Sequence, residues 1–262
     1  MKSRIVVFWI MVLLILSPSV WAGEGKYTWG DKVKNTIYED YKNFYTIENL
    51  GKLSIGLGVA GVLANTSEDR EIQEWHQGSV RNKEADDLST VTKMFGEGAI
   101  TIPIYLGAAL FEEFAGDLKL SSITGEWGKK CLRTLIVGYP PVFFLQGALG
   151  ASRPTEDGSG WRPFSDNNGV SGHSFNGAVP FITAAKMTDN PYYKFGFYFA
   201  STLAGISRIN DNAHYFSQAA LGWWVAYLAV ASVDKKGTKR SNVVVAPANI
   251  RDGGGVIVTF LY

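Results

Sequence analysis

Ser207-Arg208-Ile209-Asn210-Asp211-Asn212-Ala213-His214 is the stretch whose reading decides the fold. It sets an arginine six residues ahead of a histidine, and it follows Arg153-Pro154 and Ser171-Gly172-His173 in the chain. Two guanidinium groups supply permanently charged, forked donors for an oxyanion, and two imidazoles divide nucleophilic from acid–base work. An isolated Arg-Pro or Ser-Gly-His is mostly chance. In this order, with Ser-Arg and His at this spacing, the pieces point to one shared anion site.

The ordered set resembles the type 2 phosphatidic acid phosphatase (PAP2) superfamily, which also includes bacterial acid phosphatases and vanadium haloperoxidases. That family's pattern is Lys-x6-Arg-Pro, then Pro-Ser-Gly-His, then Ser-Arg-x5-His-x3-Asp, and the match runs from Gln146 to Gln218. Three positions depart from it: Gln146 stands where the lysine is expected, Val170 replaces the proline and Gln218 replaces the terminal aspartate. The resemblance implies a mainly α chain, a PAP2-type helical bundle. It implies His214 as the nucleophile that forms a phosphohistidine and His173 as the acid for the leaving oxygen. Arg153, Arg208, Ser171, Gly172 and Gln146 fall at its phosphate-binding positions, and Gln218 at the position behind the nucleophile. No metal is implied, and vanadate enters only as a phosphate mimic.

The residues themselves suit those roles. Ser171 reads as the N-cap of a helix starting near Ser174, and Asp211 or Asn212 as the cap of the helix that carries His214. Two helix N-termini would then face one anion. Gln218 lies four residues after His214, so on a helix its carbonyl can accept the imidazole N–H, without supplying a negative charge. A neutral hydrogen bond contributes about 0.5–1.5 kcal/mol where a charged one contributes about 1.5–3. Gln146 removes a cation from the same pocket, so the two glutamines read as a matched pair.

The formal net charge is +1, with 25 basic and 24 acidic residues, which leaves no basic field to hold nucleic acid. The expected partner is a phosphorylated small molecule or lipid, with a membrane surface as a further candidate. Met1 to Ala22 has Lys2 and Arg4, an apolar run from Ile5 to Leu16 and a small-residue ending, the pattern of a secretory signal peptide. The expected location is therefore periplasmic or extracytoplasmic. Cys131 is the single cysteine and has no partner for an intrachain disulfide. The uncharged runs Thr134–Gly150, Phe195–Ser207 and Ala219–Val233 fall short of the roughly 20 residues of a bilayer span. They read as buried core helices of a soluble or peripheral protein.

Four segments follow: a signal peptide at 1–22, an N-terminal helical extension at 23–95, a PAP2-like core at 96–236 and a C-terminal hairpin tail at 237–262. Within the extension, Ser67–His76 and Asn82–Phe95 read as charged, exposed helices whose plain role is extra packing, with His76 solvated. Glu112 and Glu113 read as a solvated helix end. Gly56-x-Gly58-x-x-Gly61 spells a dinucleotide fingerprint without the preceding strand, so close helix packing explains it better. The expected function is an extracytoplasmic phosphatase acting on phosphomonoesters or lipid phosphates. The alternatives are a degenerate member that binds phosphate without turnover, motivated by Gln146 and Gln218, and a vanadate-dependent haloperoxidase. That last branch uses the lysine that Gln146 replaces.

Overall fold

The computed structural model describes residues 29–235 apart from 116, 117 and 157, together with the backbone of 243–250 and 253–260. The expected signal peptide lies outside the described residues. Nine α-helices are present among the described residues: α1 Trp29–Phe44, α2 Ile47–Asn65, α3 Glu68–Trp75, α4 Lys83–Thr92, α5 Gly98–Ala115, α6 Lys119–Leu149, α7 Gly172–Met187, α8 Pro191–Asn210 and α9 Phe216–Asp234. A π-turn, His76–Val80, follows α3, and a short 3-10 turn, Lys93–Gly96, follows α4. The chain is mainly α, as its sequence implies. The mainly α assignment rests on these helices, and the expected C-terminal hairpin takes no part in it.

Local chemistry sets the helix starts. The Thr46 hydroxyl accepts the Asn49 N–H at 3.3 Å ahead of α2, and the Asn82 side-chain oxygen Oδ1 accepts the Ala85 N–H at 2.8 Å ahead of α4. Asn190 caps α8, whose first residue is Pro191, the position where a missing N–H costs least. Helix α6 ends at Gly150, in the left-handed region with φ 62°. A Cβ there would also come within 1.8 Å of the Arg162 carbonyl oxygen, so only glycine lets the 150–170 loop fold back over the end of α6.

Helix α9 is apolar around most of its circumference and lies in the middle of the core. Val225, Ala226 and Ala229 are fully buried in the same cluster as Val137 and Val142 of α6 and Phe175, Val179 and Ile182 of α7. Helix α1 is fastened to this core by polar contacts. Arg133 of α6 donates to both oxygens of the buried Asp40 carboxylate at 2.7 and 2.6 Å, and Asn43 donates to the Ser232 carbonyl at 3.1 Å. Gly56 and Gly61 of α2 serve close packing: a Cβ would lie 2.4 Å from the Trp224 ring at the first and 3.1 Å from Trp161 at the second.

Two helices, α2 and α9, are long and apolar enough to cross a membrane, and α4 with α5 qualifies as one span bent by 55°. Sequence alone read Ala219–Val233 as too short for this; the observed helix runs on at both ends, to 19 residues. The two differ in cover. Two-thirds of the α9 window is buried by the protein but only 17% of the α2 window, so Ile55, Val59 and Val62 stand exposed.

Candidate active site

His214 is buried, 8% exposed, just ahead of α9. Its ring nitrogen Nδ1 lies 2.9 Å from Gln218 Oε1, as the four-residue spacing predicts. Two backbone groups determine which way the Gln218 amide points. Its oxygen accepts the Tyr215 N–H at 3.1 Å, and its nitrogen donates to the Ser152 carbonyl at 2.7 Å. Oxygen therefore faces the ring, so Nδ1 carries the proton and Nε2 carries the lone pair. Burial pushes the His214 imidazole down to about 4; the Gln218 bond opposes this, and the nearby Arg153, His173 and Arg208 charges add to it. The ring is thus neutral across the ordinary pH range.

Those same electrostatic partners bring together the residues that the sequence placed in one site. His173 is in the first turn of α7, whose N-cap Ser171 accepts the Ser174 N–H at 3.3 Å. The Ser171 N–H in turn donates to the Gln218 carbonyl at 3.0 Å, which joins the start of α7 to the start of α9. Arg153 donates from Nε to Asn168 Oδ1 at 3.1 Å. Arg208, in the last turn of α8, pairs through Nη2 with the Asp211 carboxylate. Gln146, in the last turn of α6, donates to the Val170 carbonyl at 3.0 Å, and its amide nitrogen lies 3.5 Å from where a Cβ on Gly172 would stand. In that position it steadies the segment leading into Ser171.

One expectation is corrected. Neither Asp211 nor Asn212 caps the helix after His214; Tyr215 is the N-cap, and Gln218 Oε1 accepts its backbone N–H at 3.1 Å. Asp211 instead ends α8, and Asn212 takes a left-handed backbone with φ 55°. The reason is the turn itself: the Ala213 and His214 N–H groups both return to the Arg208 carbonyl, at 2.9 and 3.1 Å, so the chain reverses before α9 begins.

Sequence reasoning missed Glu97, whose Oε1 lies 2.9 Å from His173 Nε2. Gly96 makes the approach possible, because a Cβ there would come within 2.7 Å of the His173 carbonyl oxygen. The Phe95-Gly96-Glu97-Gly98 run carries no motif spacing that would have announced it. His76, expected to be solvated, instead contacts Asn210 Oδ1 at 3.3 Å, and Glu112 pairs with Lys129 at 2.8 Å. Among the described residues no group of three or more His, Cys, Asp or Glu converges as a metal site. A cavity of about 500 Å³ is lined by Ser67, Arg70, Ser159 and Tyr215 among others, and His214, His173, Arg153 and Arg208 are not in its lining.

Residues 132–238 match the family described as PAP2 superfamily. The matched segment takes in Gln146, Arg153, Ser171, His173, Arg208, His214 and Gln218, and it leaves out α1 to α5 and Glu97. No curated protein and no solved structure matches the chain.

Proposed function

We propose, from the match of residues 132–238 to the PAP2 superfamily, that this chain hydrolyses phosphomonoesters or lipid phosphates outside the cytoplasm through a phosphohistidine. The observation that carries this reading is the orientation of the Gln218 amide. It holds the His214 proton on Nδ1 and leaves Nε2 as the nucleophile. In the first step Nε2 bonds to phosphorus, the bond to the ester oxygen breaks, and His173 gives that oxygen its proton. In the second, water attacks phosphorus with His173 taking its proton, the P–N bond breaks, and phosphate leaves. Arg153 and Arg208 balance charge on the equatorial oxygens, where positioned donors contribute most. Glu97 stands beside His173 as the counter-charge for its imidazolium form.

The neutral Gln218 answers charge on the phosphorylated ring with a dipole only, which fits a slower or differently tuned enzyme. Exposed apolar residues on α2 and α5, including Ile55, Val59, Ile104 and Phe111, support membrane association and with it a lipid phosphate. Export through residues 1–22 and a hairpin tail covering the domain's edge belong to the same reading.

Phosphate release by the full-length protein in mixed micelles tests it, with an aryl phosphate, phosphatidate and a polyprenyl diphosphate compared from about pH 4 to about pH 8. Release that disappears in His214→Ala, with 32P trapped on the wild-type protein in acid-labile form, is the expected result. Vanadate or phosphate binding that survives His214→Ala, with no release by the wild type, would replace the enzyme by a binding protein.

A further inference from the structure

The loop from Ser207 to Ser217 carries both Arg208 and His214, and beside its bonds within the matched segment several of its polar groups are met from outside that segment. Helices α3 and α4 and the π-turn between them supply the partners. Gln73 Nε2 donates to the Ile209 carbonyl at 3.1 Å and to Asn212 Oδ1 at 2.6 Å. Gln77 donates to the Ile209 and Asn210 carbonyls at 2.9 and 3.3 Å, and Asp86 accepts from Asn210 Nδ2 at 2.7 Å. Ser89 Oγ lies 2.5 Å from Asp211 Oδ1 and 3.2 Å from the Ser207 carbonyl. Asp69, fully buried, accepts the Ser217 N–H at 2.9 Å and the Ser217 hydroxyl at 2.5 Å.

These contacts are placed for a purpose beyond packing. A buried carboxylate is costly unless its lone pairs are used, and Asp69 uses its own on the first turn of α9, where free N–H groups and the helix dipole favour an anion. Asn212 occupies a left-handed conformation, and the Gln73 amide holds its side chain there. Asp211 has one oxygen on Arg208 and the other on Ser89, so the guanidinium is oriented through the extension as well. An exposed helix pair that merely covered apolar surface would not send Gln73 and Asp69 inward to the backbone on either side of the nucleophile.

We infer that α3 and α4 are a positioning clamp for the reaction, with Asp69, Gln73 and Ser89 holding the Arg208–His214 turn and the start of α9 in register with the phosphate. This rests on the proposed phosphatase reading for its kinetic consequence, though not for its structural one. The three act through the loop and touch no substrate, so they are positioning residues. The matched segment alone would carry the reacting groups without the means to aim them, and a displacement of about 1 Å can cost about a hundredfold in rate.

The test uses full-length protein in micelles and the variants Asp69→Ala, Asp69→Asn and Ser89→Ala. Asparagine can accept the Ser217 N–H and donate to its hydroxyl, so it preserves both bonds without the charge. Expected are a fall in kcat of about ten- to a hundredfold for Asp69→Ala with KM changed less than about threefold, recovery to within about threefold in Asp69→Asn, and a loss of several-fold in Ser89→Ala. An Asp69→Ala kcat within about twofold of wild type, or an Asp69→Asn as damaged as Asp69→Ala, overturns the clamp. A second readout needs no turnover: 15N spectra of the His214 ring show the Nδ1–H tautomer in wild type and Asp69→Asn, and a mixture of tautomers in Asp69→Ala. The same tautomer in all three overturns the inference even where the wild type proves inactive, and a wild type without turnover counts against the phosphatase reading alone. If Asp69→Ala does not fold, Ser89→Ala carries both measurements.

Discussion

His214 is buried against a neutral amide, whereas His173 keeps 22% of its side chain exposed and faces a carboxylate. The first niche removes water and offers no anion, so it favours the neutral imidazole with a free lone pair. The second leaves room for a leaving group and places Glu97 where an imidazolium would need it. Two identical side chains are thus given different surroundings, the kind of difference by which paired acids and bases are usually separated in active sites. The motif resemblance implies both roles, nucleophile for His214 and acid for His173, and the two environments suit the roles proposed.

The largest expected effect breaks this contrast outright. His214→Ala should reduce phosphate release by about a thousandfold or more for every ester, because no other side chain replaces the nucleophile. His173→Ala should cost about a hundredfold or more with an alkyl or lipid phosphate and much less with an activated aryl phosphate, whose leaving oxygen needs no proton. An equal loss on both substrates, measured by initial rates, would remove His173 from the acid role. Glu97→Gln should follow the same leaving-group pattern with a loss of about tenfold, since it acts on the proton His173 gives.

The pH dependence sharpens the comparison. Because the His214 imidazole titrates at about 4 in the folded protein and at 6.5 when exposed, the acid limb of kcat/KM should lie near pH 4. The unfolded chain takes up a proton that the native site refuses, so stability should fall as pH drops from about 6.5 to about 4 and change no further from this group below that. His214→Asn should flatten that part of a denaturation-midpoint series. The smallest effect concerns the two glutamines. Gln146→Lys with Gln218→Asp should raise turnover by a few-fold more than the product of the single changes, because each alone leaves a charge unmatched. Additive rates would show that the two positions do not act together.

Much of the helical framework and of the site was legible because it depends on local rules. The Ser171 N-cap and the His214–Gln218 pair follow from spacings of three and four residues along a helix. The α9 caps were misread because Asp211 and Asn212 belong to a turn folded back on the Arg208 carbonyl, a choice that the type of residue does not reveal. Glu97 was illegible for a different reason: it reaches His173 from 76 residues away, through the space left by Gly96.

By itself the sequence determined the mainly α class and a set of candidate site residues, since apolar periodicity and the order of Arg153, His173, Arg208 and His214 are properties of the chain read in one dimension. The surroundings of the two histidines, the direction of the Gln218 amide and the contacts of α3 and α4 with the Arg208–His214 turn were decided only in the tertiary structure. Burial and hydrogen bonding depend on what surrounds a group in three dimensions. The groups that matter here, the Ser152 carbonyl, Glu97 and Asp69, come from parts of the chain that carry no motif.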